Sequence, residues 1–272
     1  MTDRKISAMI AGLIVFLICA VLWDAFFAPV AHPHHVVPAA RIDSAQQGAA
    51  PPVARADSAT APRAATPPPA TPPADQLSYI DQLARAETRR RIRASADYTY
   101  LSEIVAESED SALHRWDDRA GRPVRVWLPV GTAANFQPAF LDAVRAAFAR
   151  WEDAGVPVRF DLAADSERAE VRFHWKVQFD IDRTGQTDLL WDPEGRILSA
   201  LVTIATFDPQ GRPLSSDDVR VVALHEIGHL LGLDHSSDST DIMFANTKVR
   251  DLSARDVRTA LMLYRLAPGP LR

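Results

Sequence analysis

The stretch His225-Glu226-Ile227-Gly228-His229-Leu230-Leu231-Gly232-Leu233-Asp234-His235 holds the residues of this chain whose types and spacing could do chemistry. If its first part is helical, His225 and His229 fall on one face about 6 Å apart. Two imidazoles so placed can converge on one cation at about 2.0–2.1 Å each. Glu226, next to the first ligand, can reach a water on that cation and serve as its general base. Gly232 adopts left-handed backbone geometry at little cost, which ends the helix and lets the chain swing back. His235 then completes a three-histidine set. Three protein ligands leave a fourth position open, as in a catalytic rather than a structural zinc site. Cys19 is the single cysteine, so neither a disulfide nor a thiolate site is available and any metal must be held by histidine and carboxylate.

These side chains need a helix and a sheet to hold them. Val219, Val222, Ala223, Ile227, Leu230 and Leu231 recur at helical spacing over Ser216–Leu231 and should face a core. Ser215 is the expected N-cap, with Asp218 at capping-box spacing. Upstream, Val124, Val126 and Leu128 alternate as in a strand. Pro138–Trp151 reads as an amphipathic helix, with strands expected near Val158–Leu162 and Val171–Trp175. Asp180–Gly195 reads as turn-rich. The apolar, β-branched run Ile197–Phe207 reads as a further strand, ended by Pro209 and Gly211. The expected class is α+β, a mixed twisted sheet with a helix on one face.

The chain is expected to divide into an N-terminal signal anchor at 1–27, a Pro/Ala-rich linker at 28–75, a helical segment at 76–115 and a catalytic domain at 116–272. Arg4 and Lys5 precede the apolar run Ile6–Trp23, long enough as a helix to span about 27 Å or more. Retained, it tethers a catalytic domain outside the cytoplasm; cleaved as a signal peptide, it leaves that domain secreted. The linker, with runs such as Thr66-Pro67-Pro68-Pro69, cannot bury enough apolar area to fold alone. In the helical segment, Leu77, Ile80 and Leu83 form one apolar stripe, and Tyr98, Leu101, Ile104 and Val105 a second. Arg89, Arg90, Arg91 and Arg93 read as a solvated helix face. The net charge of −5 carries no nucleic-acid footprint.

On the His225–His235 stretch, Ser236 directly after it, and Asp241-Ile242-Met243, the chain resembles the metzincin metallopeptidases, and within them the matrixins. Leu252–Val257 leading to Leu263-Tyr264 is similar to the closing helix of that group. The resemblance covers roughly Trp116–Leu266. It implies a zincin-like catalytic domain with an active-site helix and a C-terminal helix, and a methionine turn at Met243 beneath the metal. The implied ligands of one zinc ion are His225, His229 and His235, with Glu226 as general base for hydrolysis of a protein or peptide substrate. It also implies that the strand Leu198–Thr206 is the sheet edge beside the cleft. The chain departs from the animal members in lacking a zinc-ligating latency cysteine, a second structural zinc site and calcium loops, so calcium is not supported. His114 and His174 are expected to be packed or surface residues. Two other readings of the same residues stay open, a membrane-tethered zinc-binding module without catalysis and a zinc hydrolase of a non-peptide bond.

Overall fold

The computed structural model describes residues 77–108, 111–117, 119 and 121–272. All of them fall within one compact unit, 70–272. The expected anchor at 1–27 and linker at 28–75 lie outside the described residues. Among the described residues no helix is long and apolar enough to cross a membrane.

Two helices come first, α1 (Tyr79–Ala94) and α2 (Leu101–Glu107), followed by the short strand β1 (Ala112–Leu113). Then come β2 (Val124–Trp127), α3 (Ala139–Asp153), β3 (Phe160–Asp161), β4 (Val171–Lys176), β5 (Gly185–Trp191) and β6 (Ile197–Ala205). The chain ends with α4 (Ser216–Leu230), α5 (Ala254–Leu263) and β7 (Gly269–Pro270). The main sheet has the order β3-β2-β4-β6-β5, in which every pairing is parallel except β5 with β6. β1 and β7 pair antiparallel and join the two ends of this body.

The strands read in sequence follow from their patterns. In β4, Val171, Phe173 and Trp175 are buried while Arg172 and His174 are exposed. Helix α3 buries Phe140, Ala143, Val144, Ala147, Phe148 and Trp151. Helix α4 packs against α3, β5 and β6, so a single core runs between the sheet and these helices.

The sheet edge differs from expectation. The strand at 198–206 is not an edge, because β6 pairs with β4 on one side and β5 on the other. Its run from Val202 to Ala205 is buried throughout, and a continuous apolar run is what a strand covered on all sides requires. The edge is β5, inside the stretch that read as turns. An edge strand exposes one side to solvent, so it keeps polar residues such as Gln186 and Asp188 and hides from an apolar search.

The helical segment differs too. Leu77, Ile80 and Leu83 are exposed, with Ile80 at 70% of its full accessibility. Of the arginines expected on a solvated face, Arg89 donates to the carbonyl of Leu271 and Arg91 to that of Arg265 at 3.3 Å, tying α1 to the C-terminal segment. The second stripe is buried through Leu101 and Ile104, joined by Tyr100, whereas Tyr98 is exposed.

Candidate active site

Helix α4 begins with the capping box expected from sequence. Ser215 Oγ accepts from the Asp218 amide at 3.2 Å, and the Asp218 carboxylate accepts from the Ser215 amide at 3.1 Å. At the other end, the Gly232 amide bonds the His229 carbonyl at 2.8 Å and the Leu233 amide bonds the Gly228 carbonyl at 3.0 Å. This is a Schellman closure, and it needs the positive φ of 95° found at Gly232. A Cβ at Gly232 would also collide with the carbonyl oxygen of His114. The last carbonyls of the helix are taken up by side chains. Trp116 Nε1 donates to Leu230 O at 2.9 Å and Tyr264 Oη to Leu231 O at 3.1 Å.

This end of the helix brings His225, His229 and His235 together, with ligand-capable atoms all within 4.8 Å of one another. His225 Nδ1 lies 2.7 Å from Ile242 O, and His229 Nδ1 lies 2.9 Å from Leu233 O. A carbonyl can only accept, so each Nδ1 carries the proton and each Nε2 is left with a bare lone pair. Those two Nε2 atoms face each other at 3.2 Å. Two lone pairs at that distance repel unless a cation lies between them. Tetrahedral zinc with bonds of about 2.0–2.1 Å separates its ligand nitrogens by about 3.3 Å, so the donor set fits zinc. Burial lowers the His225 ring to about 4 and the His229 ring to about 3, the latter helped by His225 and His235, so both are neutral at neutral pH. His235 is partly exposed, with Nδ1 3.7 Å from Asp234 Oδ1.

Glu226 is buried on the same helix. Burial pushes its carboxyl up to about 7 in the metal-free site, partly offset by a hydrogen bond from Thr187. Thr187 Oγ1 lies 2.7 Å from Glu226 Oε2 and 3.1 Å from its backbone carbonyl. Thr187 sits on the edge strand β5, as does Gly185, where a Cβ would strike the Glu226 carboxylate. Sequence reasoning passed over both residues. The alternation of Thr187, Leu189 and Trp191 with Gln186, Asp188 and Leu190 was the signal that could have found them.

The floor is built by the segment after His235. The Ser236 amide donates to Met243 O at 2.9 Å, folding the chain back so that buried Met243 lies under α4. Gly228 allows this approach, because a Cβ there would run into Met243 Sδ. Asp256, the N3 residue of the α5 capping box, accepts from the Ile242 amide at 2.8 Å and the Met243 amide at 3.4 Å. Asp241 accepts from Ser236 Oγ at 2.5 Å, Ser253 Oγ at 2.6 Å and Arg255 Nη1 at 2.8 Å. Trp151 reaches α4 from α3, its Nε1 donating to Leu224 O at 2.9 Å.

The histidines and Glu226 line a cleft of about 1170 Å³, walled by β5 on one side and by Val222 and Asn246–Lys248 elsewhere. His114 lines this cleft and stacks on Trp191 with ring centroids 4.2 Å apart, while His174 is exposed on β4.

Comparison with known proteins points the same way. The model of the matrixin family matches residues 132–265. Metalloendoproteinase 1-MMP of Arabidopsis thaliana is 35% identical over 140 residues, covering 46% of this chain and 37% of that protein. Metalloendoproteinase 1 of Glycine max is 29% identical over 191 residues, covering 64% of this chain and 57% of that protein. The chain thus spans well under two thirds of the length of either relative. The matched segment, just under half of the chain, contains α3, the strands β3 to β6, the histidine helix and the Met243 turn, and over that segment the chain matches the matrixin family.

Proposed function

We propose that this domain is a zinc-dependent endopeptidase, with His225, His229 and His235 holding one zinc ion and Glu226 acting as general base. The observation that carries the reading is the pair of bare Nε2 lone pairs 3.2 Å apart beside a buried carboxylate. Zinc bound there would acidify water and polarise a peptide carbonyl.

The chain's own residues account for the rest. The carbonyls of Ile242 and Leu233 orient two of the imidazoles and fix their tautomers. Glu226 takes the proton of the attacking water and hands it to the leaving amide nitrogen. Thr187 holds one oxygen of that carboxylate, leaving the other for the proton. Edge strand β5 offers unpaired backbone groups along the cleft. An extended peptide adding to it would be gripped through its main chain, with little demand on its sequence. The expected membrane tether at 1–27 would make the substrates extracytoplasmic.

Glu226→Gln is the direct test. It should abolish hydrolysis of casein or a quenched fluorescent peptide while zinc stays bound at one per chain. Undiminished turnover in that variant sinks the assignment. A zinc module without catalysis would give no hydrolysis in wild type, and a hydrolase of another bond would bind zinc yet leave peptides intact.

A further inference from the structure

We propose that Tyr100 and Glu103, at the start of α2, are positioning residues for the metal centre, holding from outside the two chain segments that flank it. The inference rests on the metal-centre reading above. Glu103 Oε2 accepts from the Ser237 amide at 2.9 Å, two residues beyond His235. Its other oxygen pairs with Arg255. Arg255 in turn donates to Ser236 Oγ and Asp241 Oδ2, each at 2.8 Å. The loop leaving His235 is therefore clamped between α2 and α5.

Tyr100 acts on the other flank. Its ring is fully buried and lies 5.1 Å from the Arg255 guanidinium carbon. Its hydroxyl lies 3.1 Å from Asp256 Oδ1, the carboxylate that bonds the Ile242 and Met243 amides. The Ile242 carbonyl is the acceptor that orients His225. One turn of α2 thus reaches His235 through Ser237 and His225 through Asp256 and Ile242.

His235 is where this support matters most. Among the described residues no carbonyl accepts from its Nδ1, unlike His225 and His229, and its side chain keeps 43% of its accessibility. Its direction is set by the loop that carries it. Groups behind metal ligands commonly change metal affinity or activity by about 10- to 100-fold when removed.

The test uses the full chain as wild type, Glu103→Ala, Glu103→Gln and Tyr100→Phe. Three readouts apply: zinc transfer to a chromogenic chelator, the visible spectrum of the cobalt(II)-substituted protein, and kcat and KM on a quenched peptide. In Glu103→Ala, zinc loss should be about tenfold faster, the cobalt spectrum altered, and kcat lowered with KM little changed. Glu103→Gln should recover part of this, because its amide oxygen still accepts from Ser237. Tyr100→Phe keeps the packing and should speed zinc loss through Asp256 alone. A melting temperature lowered in all three variants, with zinc transfer and cobalt spectrum unchanged, would mean a merely structural role and overturn the proposal. A wild type that binds no zinc would instead overturn the metal-centre reading, and this inference with it.

Discussion

Thr187 gives Glu226 its orientation from a neighbouring element, and removing one hydroxyl tests how much that is worth. Thr187→Val keeps the shape and deletes a bond to a carboxylate, an interaction of about 1.5–3 kcal/mol. The expected result is a fall in kcat of roughly tenfold or more with zinc still bound at one per chain. An unchanged kcat would show that Glu226 needs no such partner. The histidines predict a pH effect on the metal-free protein. Their rings sit at about 4 and about 3 when folded, below the ordinary value near 6.5. The unfolded chain therefore takes up protons that the folded chain refuses. The stability from these neutral rings is full above about pH 6.5 and drains away as pH falls toward 4 and then 3. Glu226, raised to about 7 in the same metal-free state, takes up a proton on the folded side over this window and offsets part of that loss. With two histidines against one carboxyl, the urea midpoint of chelator-treated protein should still drop between pH 7 and 4.5, less steeply in His229→Gln. A flat profile in the native chain would contradict the buried, neutral pair.

At the scale of elements, α4 is held by what its glycines permit. Gly228 lets Met243 lie against the helix, so Gly228→Ala must push a fully buried side chain out of place. Overpacking of this kind costs about 1–3 kcal/mol. Thermal unfolding of the metal-free variant should begin several degrees lower, and zinc affinity should fall because the same shift disturbs Ile242 and so His225. Equal melting temperatures would mean that the turn yields freely. Strand β5 shows why an element can be decisive and still hard to read. Thr187 and Leu189 are partly buried, yet Asp188 and Leu190 face outward, so its apolar pattern is diluted over its few residues.

At the scale of the whole molecule, the fold is larger than the family-matched stretch. Residues 132–265 lack β2, which lies between β3 and β4 in the sheet, and lack α2 and Trp116. Tyr100, Leu101, Leu113, Trp116, Val124 and Val126 all belong to the one core. A 132–265 fragment should therefore show no cooperative unfolding transition, whereas 77–272 should unfold in a single step. A sharp transition for the short fragment would show that the N-terminal helices are dispensable. A metal chelator should end hydrolysis by the full chain, and added zinc should restore it; activity that survives chelation would exclude the metal mechanism.

The helix that carries His225, Glu226 and His229, its two caps, and the gathering of His235 beside the other two histidines were legible in sequence, because the helical partners lie three or four residues apart and a glycine turn returns the chain within a few residues. So were β2, β4, α3 and β6, whose burial patterns are strong. Which strand forms the sheet edge was not legible, nor that Thr187 and Gly185 touch Glu226, nor that Tyr100 and Glu103 brace the far side of the site. These are contacts between residues distant along the chain. They depend on how β5 pairs with β6 and how α2 settles on α5, which no local spacing encodes. Only packing of the whole body brings those groups into reach.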